Sequence, residues 1–254
     1  MNLRSFWRGE FSPRAWQRLS LLLILQFQGM LWTAWFLRSP HVAESTPFRN
    51  VISTLGQGRM DGNTGAWMFD CAFCTFALLL IPWHLHLARR VSHVSKGVGK
   101  ALVVVGFISL IGVACVAIFD EQQMGPVSKT VSQVMHGLGA ITAFGGHCIG
   151  AFLSWYIFAS IYARTPGDSR GLMAHPVKLL VSVLAMVPPL VLLCMPQLYE
   201  AGNHLTGAAL PEFVWRLPFW QWSLMVTLML WLYSMSRWYP DTLTPHPEPA
   251  TSNA

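Results

Sequence analysis

The sequence predicts an all-α, polytopic membrane protein: a bundle of six transmembrane helices with both termini in the cytoplasm. The first observation is composition, since 53% of the residues are hydrophobic and only 11% are charged. Soluble domains carry about 25% charged residues. The second is that the apolar residues fall into long runs, and the third is that the basic residues sort by loop. Because lipid offers no hydrogen bonds to the backbone, each long run must be a helix.

Six apolar runs have the length needed to cross roughly 30 Å of hydrocarbon. They lie near residues 19–37, 64–88, 101–119, 131–162, 176–199 and 213–235. The first run, at about 19 residues, is longer than the apolar core of a signal peptide, so we predict a retained helix. In the loop that follows it, Ile52 and Leu55 have helical spacing after Pro47. They predict a short re-entrant or interfacial helix that ends at Gly56 or Gly58.

The distribution of Lys and Arg predicts the orientation. Basic residues cluster before the first run, between the second and third, and between the fourth and fifth: Arg4, Arg8, Arg14, Arg18, Arg89, Arg90, Lys96, Lys100, Arg164, Arg170. The positive-inside rule places these loops and both termini in the cytoplasm. The first loop is the exception, with three arginines, Arg38, Arg49 and Arg59. The net charge of +6 is therefore a topology signal and does not indicate nucleic-acid binding.

These patterns divide the chain into three parts. Residues 1–18 form a basic cytoplasmic N-terminus, and residues 19–236 form the six-helix membrane domain, with an outward loop at residues 38–63. Residues 237–254 are rich in Pro, Ser and Thr without an apolar period. Such a composition cannot bury enough apolar surface to fold, so we predict a disordered cytoplasmic tail.

Polar residues collect at the outward ends of the predicted spans. Ser53 lies in the first loop, Asp120 ends the third span, and His136 begins the fourth. Glu212 and Arg216 open the sixth span at the four-residue spacing of a helical ion pair. We predict that these five residues form a polar pocket between spans three, four and six, covered by the first loop. The alternative is that they are the hydrated ends and anchors of separate helices.

The histidines inside the spans raise a second possibility. Ionisable groups at membrane depth are costly and indicate function by default. His147 follows His136 by eleven residues, so both project from nearly the same helix face, about 16 Å apart. They could form a relay, or each could bond a neighbouring carbonyl. His84 and His86, two residues apart, point to different sides of a helix, which argues against a chelate. Haem needs two histidines at matched depth, and His147 has no evident mate.

No cofactor is expected from the sequence. Zinc is the alternative, because Asp120, His136 and His204 all lie at outward ends and suit this metal. No dense histidine motif supports such a site. The fourth span instead carries a row of small residues that lets helices pack closely in lipid, which predicts that this span is central to the bundle: Gly137, Gly139, Ala140, Ala143, Gly146, Gly150.

Four separated stretches resemble one family: "TPFRNVISTLGQG", "VAIFDE", "HGLGAITAFGGHCIGA" and "PEFVWRLPFW". In this order, within residues 15–236, they resemble the bacterial and archaeal integral membrane family known as domain of unknown function 998. The resemblance implies six spans in a bacterial cytoplasmic (inner) membrane. It singles out the positions that match the family's motifs: Ser53, Leu55, Gly56, Asp120, His136, Glu212, Arg216. The family commonly has "GVFP" where this chain has "AIFDE", and the resemblance brings no activity with it.

Three functions are compatible with the sequence. The favoured one is a non-enzymatic protein that binds membrane lipids or a membrane-protein partner in the outward pocket. The second is a metal-assisted membrane lipid hydrolase that uses Asp120, His136 and His204. The third is a small proton-coupled transporter with His136 and His147 along the proton path.

Overall fold

A computed structural model of the chain describes residues 2–38, 52–56, 63–119, 129–164, 191 and 217–238. These residues contain α-helices and no β-strand, which confirms the all-α prediction for this part of the chain. One short 3-10 helix, Ile52–Leu55, accompanies six α-helices: α1 (Leu3–Trp7), α2 (Pro13–Phe36), α3 (Ala66–Ser92), α4 (Lys96–Ile118), α5 (Lys129–Arg164) and α6 (Leu217–Trp238).

Among the described residues, four helices are long and apolar enough to cross a membrane. They are α2, α3, α4 and, within α5, the segment Lys129–Ser154. The sixth predicted run corresponds to α6, a helix of 22 residues, while the fifth, at residues 176–199, lies outside the described residues. α2 begins at Pro13 rather than near residue 19, because the Ser12 side chain caps the helix and Pro13 suits its first turn. The helices indicate a multi-pass membrane protein.

Consecutive helices pack antiparallel. The Trp83 indole of α3 donates to Ser20 Oγ of α2 over 2.7 Å, and Gly106 of α4 lies against the ring of His84 on α3. α6 runs antiparallel to α2, since Arg237 donates to the Gln17 side chain near the start of α2 over 3.3 Å. One end of the bundle, which we call the basic end, therefore holds the start of α2, the α3–α4 connection and the end of α6. The opposite end is the roof end.

α4 and α5 approach each other more closely than side chains would allow, because glycines line their contact. A Cβ on Gly112 would lie 2.6 Å from the carbonyl oxygen of Gly139, and one on Gly146 would lie 2.7 Å from Ser109 Cβ. Part of the predicted row of small residues on α5, including Gly139 and Gly146, therefore packs against α4. Gly137 and Gly150 belong to the same row by sequence, but in the part of the chain that the structure describes a Cβ on either would meet no neighbouring atom within 4 Å.

The segment before α2 folds back onto the basic end of α3. Gly9 has a φ of +67°, a conformation that glycine adopts without strain. A Cβ there would lie 2.7 Å from both His86 N and Pro82 O, so only glycine lets the backbone approach α3 this closely. His86 Nδ1 donates to the Gly9 carbonyl over 3.0 Å, and Arg89 pairs with Glu10 over 3.4 Å. Residues 2–12 are thereby attached to the bundle.

Candidate functional site

The 3-10 helix, which lies within the predicted first loop, packs on the roof end of the bundle. Ile52 and Leu55 are buried among the core side chains. The Ile52 amide donates to the Gln221 side chain of α6 over 3.1 Å, and Asn63 Nδ2 donates to the Leu55 carbonyl over 3.1 Å. A Cβ on Gly56 would lie 2.7 Å from the Phe69 ring. The ISTLG stretch is therefore a packed lid on α3 and α6, which gives its apolar positions and its glycine a physical role.

His136 lies at the same end, on the first turns of α5. It is buried, at 7% exposure, and its Nδ1 donates to the Phe119 carbonyl over 2.7 Å. Phe119 is the residue at which α4 ends, so the bond joins the two helices at the base of their connection. His136 thus bonds a neighbouring carbonyl, which is the simpler of the two arrangements that the sequence left open.

The other predicted members of the outward pocket lie mostly beyond what the structure describes. The backbone of Ser53 belongs to the 3-10 helix. Four residues fall outside the described part of the chain: Asp120, His204, Glu212 and Arg216. Two of the three ligands of the alternative zinc site, Asp120 and His204, are among them. Among the described residues, no group of three or more His, Cys, Asp or Glu side chains could hold a metal ion. The pocket of five polar residues stays a prediction.

A second polar site lies in the middle of the bundle, around His147. This residue of α5 is buried at 7% exposure, and its Nδ1 is 3.1 Å from Ser109 Oγ of α4. The Ser109 hydroxyl donates to the Ala143 carbonyl over 2.9 Å. Because a serine hydroxyl has one proton, the bond to His147 must be donated by Nδ1. We therefore assign His147 the tautomer with a proton on Nδ1, which leaves the Nε2 lone pair as an acceptor.

The ring of His84, on α3, faces the ring of His147 at the same level of the bundle. Its ring centroid is 6.1 Å from that of His147, and its exposure is also 7%. His84 Nδ1 is 3.1 Å from the Leu80 carbonyl, and a carbonyl can only accept. His84 Nδ1 therefore carries a proton, as His147 Nδ1 does, and in the neutral ring Nε2 is then an acceptor. Two imidazoles on different helices thus meet inside the bundle.

Trp231 of α6 completes this site. Its ring centroid is 5.4 Å from that of His147 and 6.2 Å from that of His84. Within the described part of the chain, neither Trp231 Nε1 nor His147 Nε2 has a hydrogen-bond partner, and both atoms are buried. An orphaned donor and an orphaned acceptor in an apolar interior each cost free energy unless a small polar species reaches them. We call His84, Ser109, His147 and Trp231 the histidine cluster.

A row of rings connects the histidine cluster to the basic end. Trp83 lies 5.1 Å from Trp231, Trp16 lies 5.6 Å from Trp83, and His86 lies 4.6 Å from Trp16, measured between ring centroids. His86 is therefore separated from His84 by indole rings, as expected for residues two apart on a helix.

On the roof side of His147 the bundle encloses a cavity of about 20 Å³. It lies where α2, α3, α4, α5 and α6 converge, and its lining includes Phe27, Phe76, Val116 and Met225. His147 is also among the lining residues, but the atoms that face the cavity are apolar. The cavity therefore offers no hydrogen-bond partner to a water molecule and fits a dry space in the core.

The expectation that His147 has no mate at its depth was wrong. The second apolar run was expected to end at residue 88, which placed His84 near the membrane surface. α3 instead continues through Arg89 and Arg90 to Ser92, so His84 lies about 12 Å inside the helix end. One residue in the sequence could have indicated this pairing. Gly106 of α4 lies beside His84, and the absence of a side chain on Gly106 makes room for the His84 ring.

Comparison with known proteins identifies the family. The family model described as "Protein of unknown function (DUF998)" matches residues 14–229. The chain belongs to the DUF998 family. A search of curated proteins and a search of solved structures each found no match. The DUF998 match extends from the start of α2 into α6, so it includes both the lid at the roof end and most of the helices around the histidine cluster.

Proposed function

We propose that this DUF998 protein is a small transporter that moves protons across a cytoplasmic membrane, and that His84 and His147 carry the proton through the middle of the bundle. The observation that carries the proposal is the placement of the two imidazole rings, with centroids 6.1 Å apart, inside helices that are long enough to cross a membrane. Buried histidines on facing transmembrane helices are costly and are typical of proton relays.

The hydrogen bonds of the two rings suit a relay. In His147 the Nδ1 proton is held by Ser109, whose hydroxyl is bonded to the Ala143 carbonyl. Because a backbone carbonyl cannot take up a proton, these bonds orient the ring, and a proton would be both accepted at and released from Nε2. His147 Nε2, which has no hydrogen-bond partner among the described residues, is the atom that would accept the incoming proton. Trp231 Nε1, on a ring whose centroid is 5.4 Å from that of His147, is a donor in the same cluster, so the cluster contains both a donor and an acceptor for a proton carrier such as water.

Proton movement in proteoliposomes tests the proposal. Purified protein would be reconstituted, a potassium diffusion potential applied, and the internal pH followed with a trapped dye. We expect His84→Phe and His147→Phe each to lower the rate of proton uptake by about tenfold or more, because phenylalanine keeps the ring volume but removes both nitrogens.

His93→Ala is the matched control, since His93 is an exposed histidine just beyond the end of α3. Its variant should keep the wild-type rate. Trp231→Phe should give an intermediate rate, because it keeps the packing and removes one donor. A wild-type rate no higher than that of protein-free liposomes, under both a pH gradient and a membrane potential, would contradict the proposal. So would unchanged rates in both histidine variants.

A second candidate function is the binding of a membrane lipid or a membrane-protein partner at the roof end of the bundle, without catalysis. The lid favours it: a buried 3-10 helix bonded to α6 through Gln221 and to the segment before α3 through Asn63 provides a fixed cover over that end. In this proposal His136, Ser53, Asp120 and the Glu212–Arg216 pair would shape the pocket beneath it. The metal-assisted hydrolase has no supporting contact among the described residues, and we do not propose it.

Variants of His136 separate binding at the roof end from a purely structural role. Lipids that copurify with the protein would be identified by native mass spectrometry. We expect His136→Ala to lose bound lipid, and His136→Asn, which keeps a donor for the Phe119 carbonyl, to retain the fold. If His136→Ala lowers the melting temperature while its lipid content equals that of the wild type, the roof end is structural and the binding proposal fails.

A further inference from the structure

A groove of about 550 Å³ lies at the basic end, between the N-terminal segment and the first turns of α2. Its walls combine two kinds of side chain. Arg14 and Arg18 supply positive charge, and Phe6, Phe11, Leu19 and Leu22 supply apolar surface. None of its lining residues belongs to the histidine cluster or to the lid.

The two arginines are available to a ligand. Both are exposed, and within the described residues neither guanidinium makes a hydrogen bond or an ion pair. The acid nearest in sequence, Glu10, is paired with Arg89 of α3 instead. The groove therefore carries two positive charges without a compensating carboxylate among its lining residues, and its electrostatic complement is an anion.

The order of the lining residues along α2 defines the shape of that anion. Arg14, Arg18 and Leu22 follow one another at four-residue spacing and so lie on one face of the helix. They span about 12 Å along the helix axis. The arginines are at the end of the membrane-spanning helix, and Leu22, which is 53% exposed, lies deeper. A ligand that fits has a negative head at the membrane surface and an apolar chain directed toward the bilayer centre.

We propose that this groove binds one anionic phospholipid, with its phosphate between Arg14 and Arg18 and an acyl chain along Phe11, Leu19 and Leu22. Arginine binds phosphate oxygens with two parallel hydrogen bonds, and basic residues beside a transmembrane helix attract anionic lipid at the cytoplasmic surface. A soluble anion has no apolar chain, so it would leave the apolar half of the groove without a contact. A second copy of the chain would bring its own arginines against these two, which opposes self-association there.

Lipid titration of the full chain in detergent tests the proposal. Dissociation constants for dioctanoyl phosphatidylglycerol and dioctanoyl phosphatidylcholine would be measured from ligand-induced shifts in the melting temperature. We expect the wild type to prefer phosphatidylglycerol, and Arg14→Gln/Arg18→Gln to weaken phosphatidylglycerol binding by about tenfold or more while leaving phosphatidylcholine unchanged. The matched control is Lys96→Gln/Lys100→Gln, which removes two charges from the same end outside the groove and should retain the preference.

Each other outcome overturns the inference. Equal binding of the two lipids by the wild type, or an equal loss in the lysine control, would reduce the effect to general surface charge. If millimolar inorganic phosphate displaced phosphatidylglycerol from the protein, the groove would be a site for soluble anions. If the wild type formed concentration-dependent dimers and the arginine variant did not, the groove would be an interface with a second copy of the chain. Circular dichroism of both variants verifies that they are folded, as expected for exposed side chains.

Discussion

Replacing Gly112 by alanine is expected to lower the free energy of unfolding by about 3 kcal/mol, because the new methyl group would overpack the α4–α5 contact. A Cβ at this position would meet Thr142 Oγ1, the amide nitrogen of Ala143 at 2.5 Å and the carbonyl oxygen of Gly139 at 2.6 Å. Two of these atoms belong to the backbone and cannot rotate away. α4 and α5 would have to separate, and dispersion contacts between helices are the main source of association in lipid.

Gly145→Ala is the matched control for Gly112→Ala. Gly145 is also in the interior of a membrane-spanning helix, but no atom of the described residues lies within 4 Å of its Cβ position. Its substitution should be neutral or stabilising by up to about 1 kcal/mol, through helix propensity alone. The measurement is unfolding in mixed micelles by increasing dodecyl sulfate, followed by circular dichroism. Similar midpoints for the two variants would show that the α4–α5 approach is not as close as the structure places it.

The helices themselves could be predicted from the sequence, because the length and polarity of a membrane-spanning segment are dictated by the bilayer. α3, α4 and α5 coincide with predicted runs to within a few residues. The lid could be predicted for a related reason: Ile52 and Leu55 are apolar residues at helical spacing in a polar loop, and Leu55 is 2% exposed. In both cases the pattern is local, so one stretch of sequence carries the whole signal.

The histidine cluster could not be assembled in the same way. Which face of α3 meets which face of α5 depends on helix rotation and on an exact register between segments more than 60 residues apart, since His84 and His147 are separated by 63 positions. A shift of α3 by one residue would rotate His84 by about 100° and remove it from His147. Glycines at Gly106, Gly112 and Gly146 determine that register by allowing α4 to pack closely against both neighbours.

Replacing Ser20 by alanine is expected to cost about 2 kcal/mol of stability, because it leaves the Trp83 indole N–H buried without an acceptor. Ser20 and Trp83 are both fully buried, at 0% exposure. The Trp83 Nε1 to Ser20 Oγ bond, at 2.7 Å, joins α3 to α2, while the Ser20 hydroxyl itself donates to the Trp16 carbonyl within α2. The Ser20 hydroxyl therefore makes one hydrogen bond within α2 and one to α3. Only the loss of the bond to α3 should lower the stability appreciably.

Ser154→Ala distinguishes the two bonds. Ser154 is likewise at 0% exposure, and its hydroxyl donates to the Gly150 carbonyl one turn earlier over 2.7 Å, without an indole donor on its oxygen. Its loss should cost about 0.5 kcal/mol or less, since that carbonyl is already bonded within the helix. In a Trp83→Phe background, Ser20→Ala should fall to the same low cost, giving a coupling energy of about 1.5 kcal/mol. An equal cost of Ser20→Ala in both backgrounds would mean that the interhelical bond adds nothing, and that α2 and α3 are joined by ring packing alone.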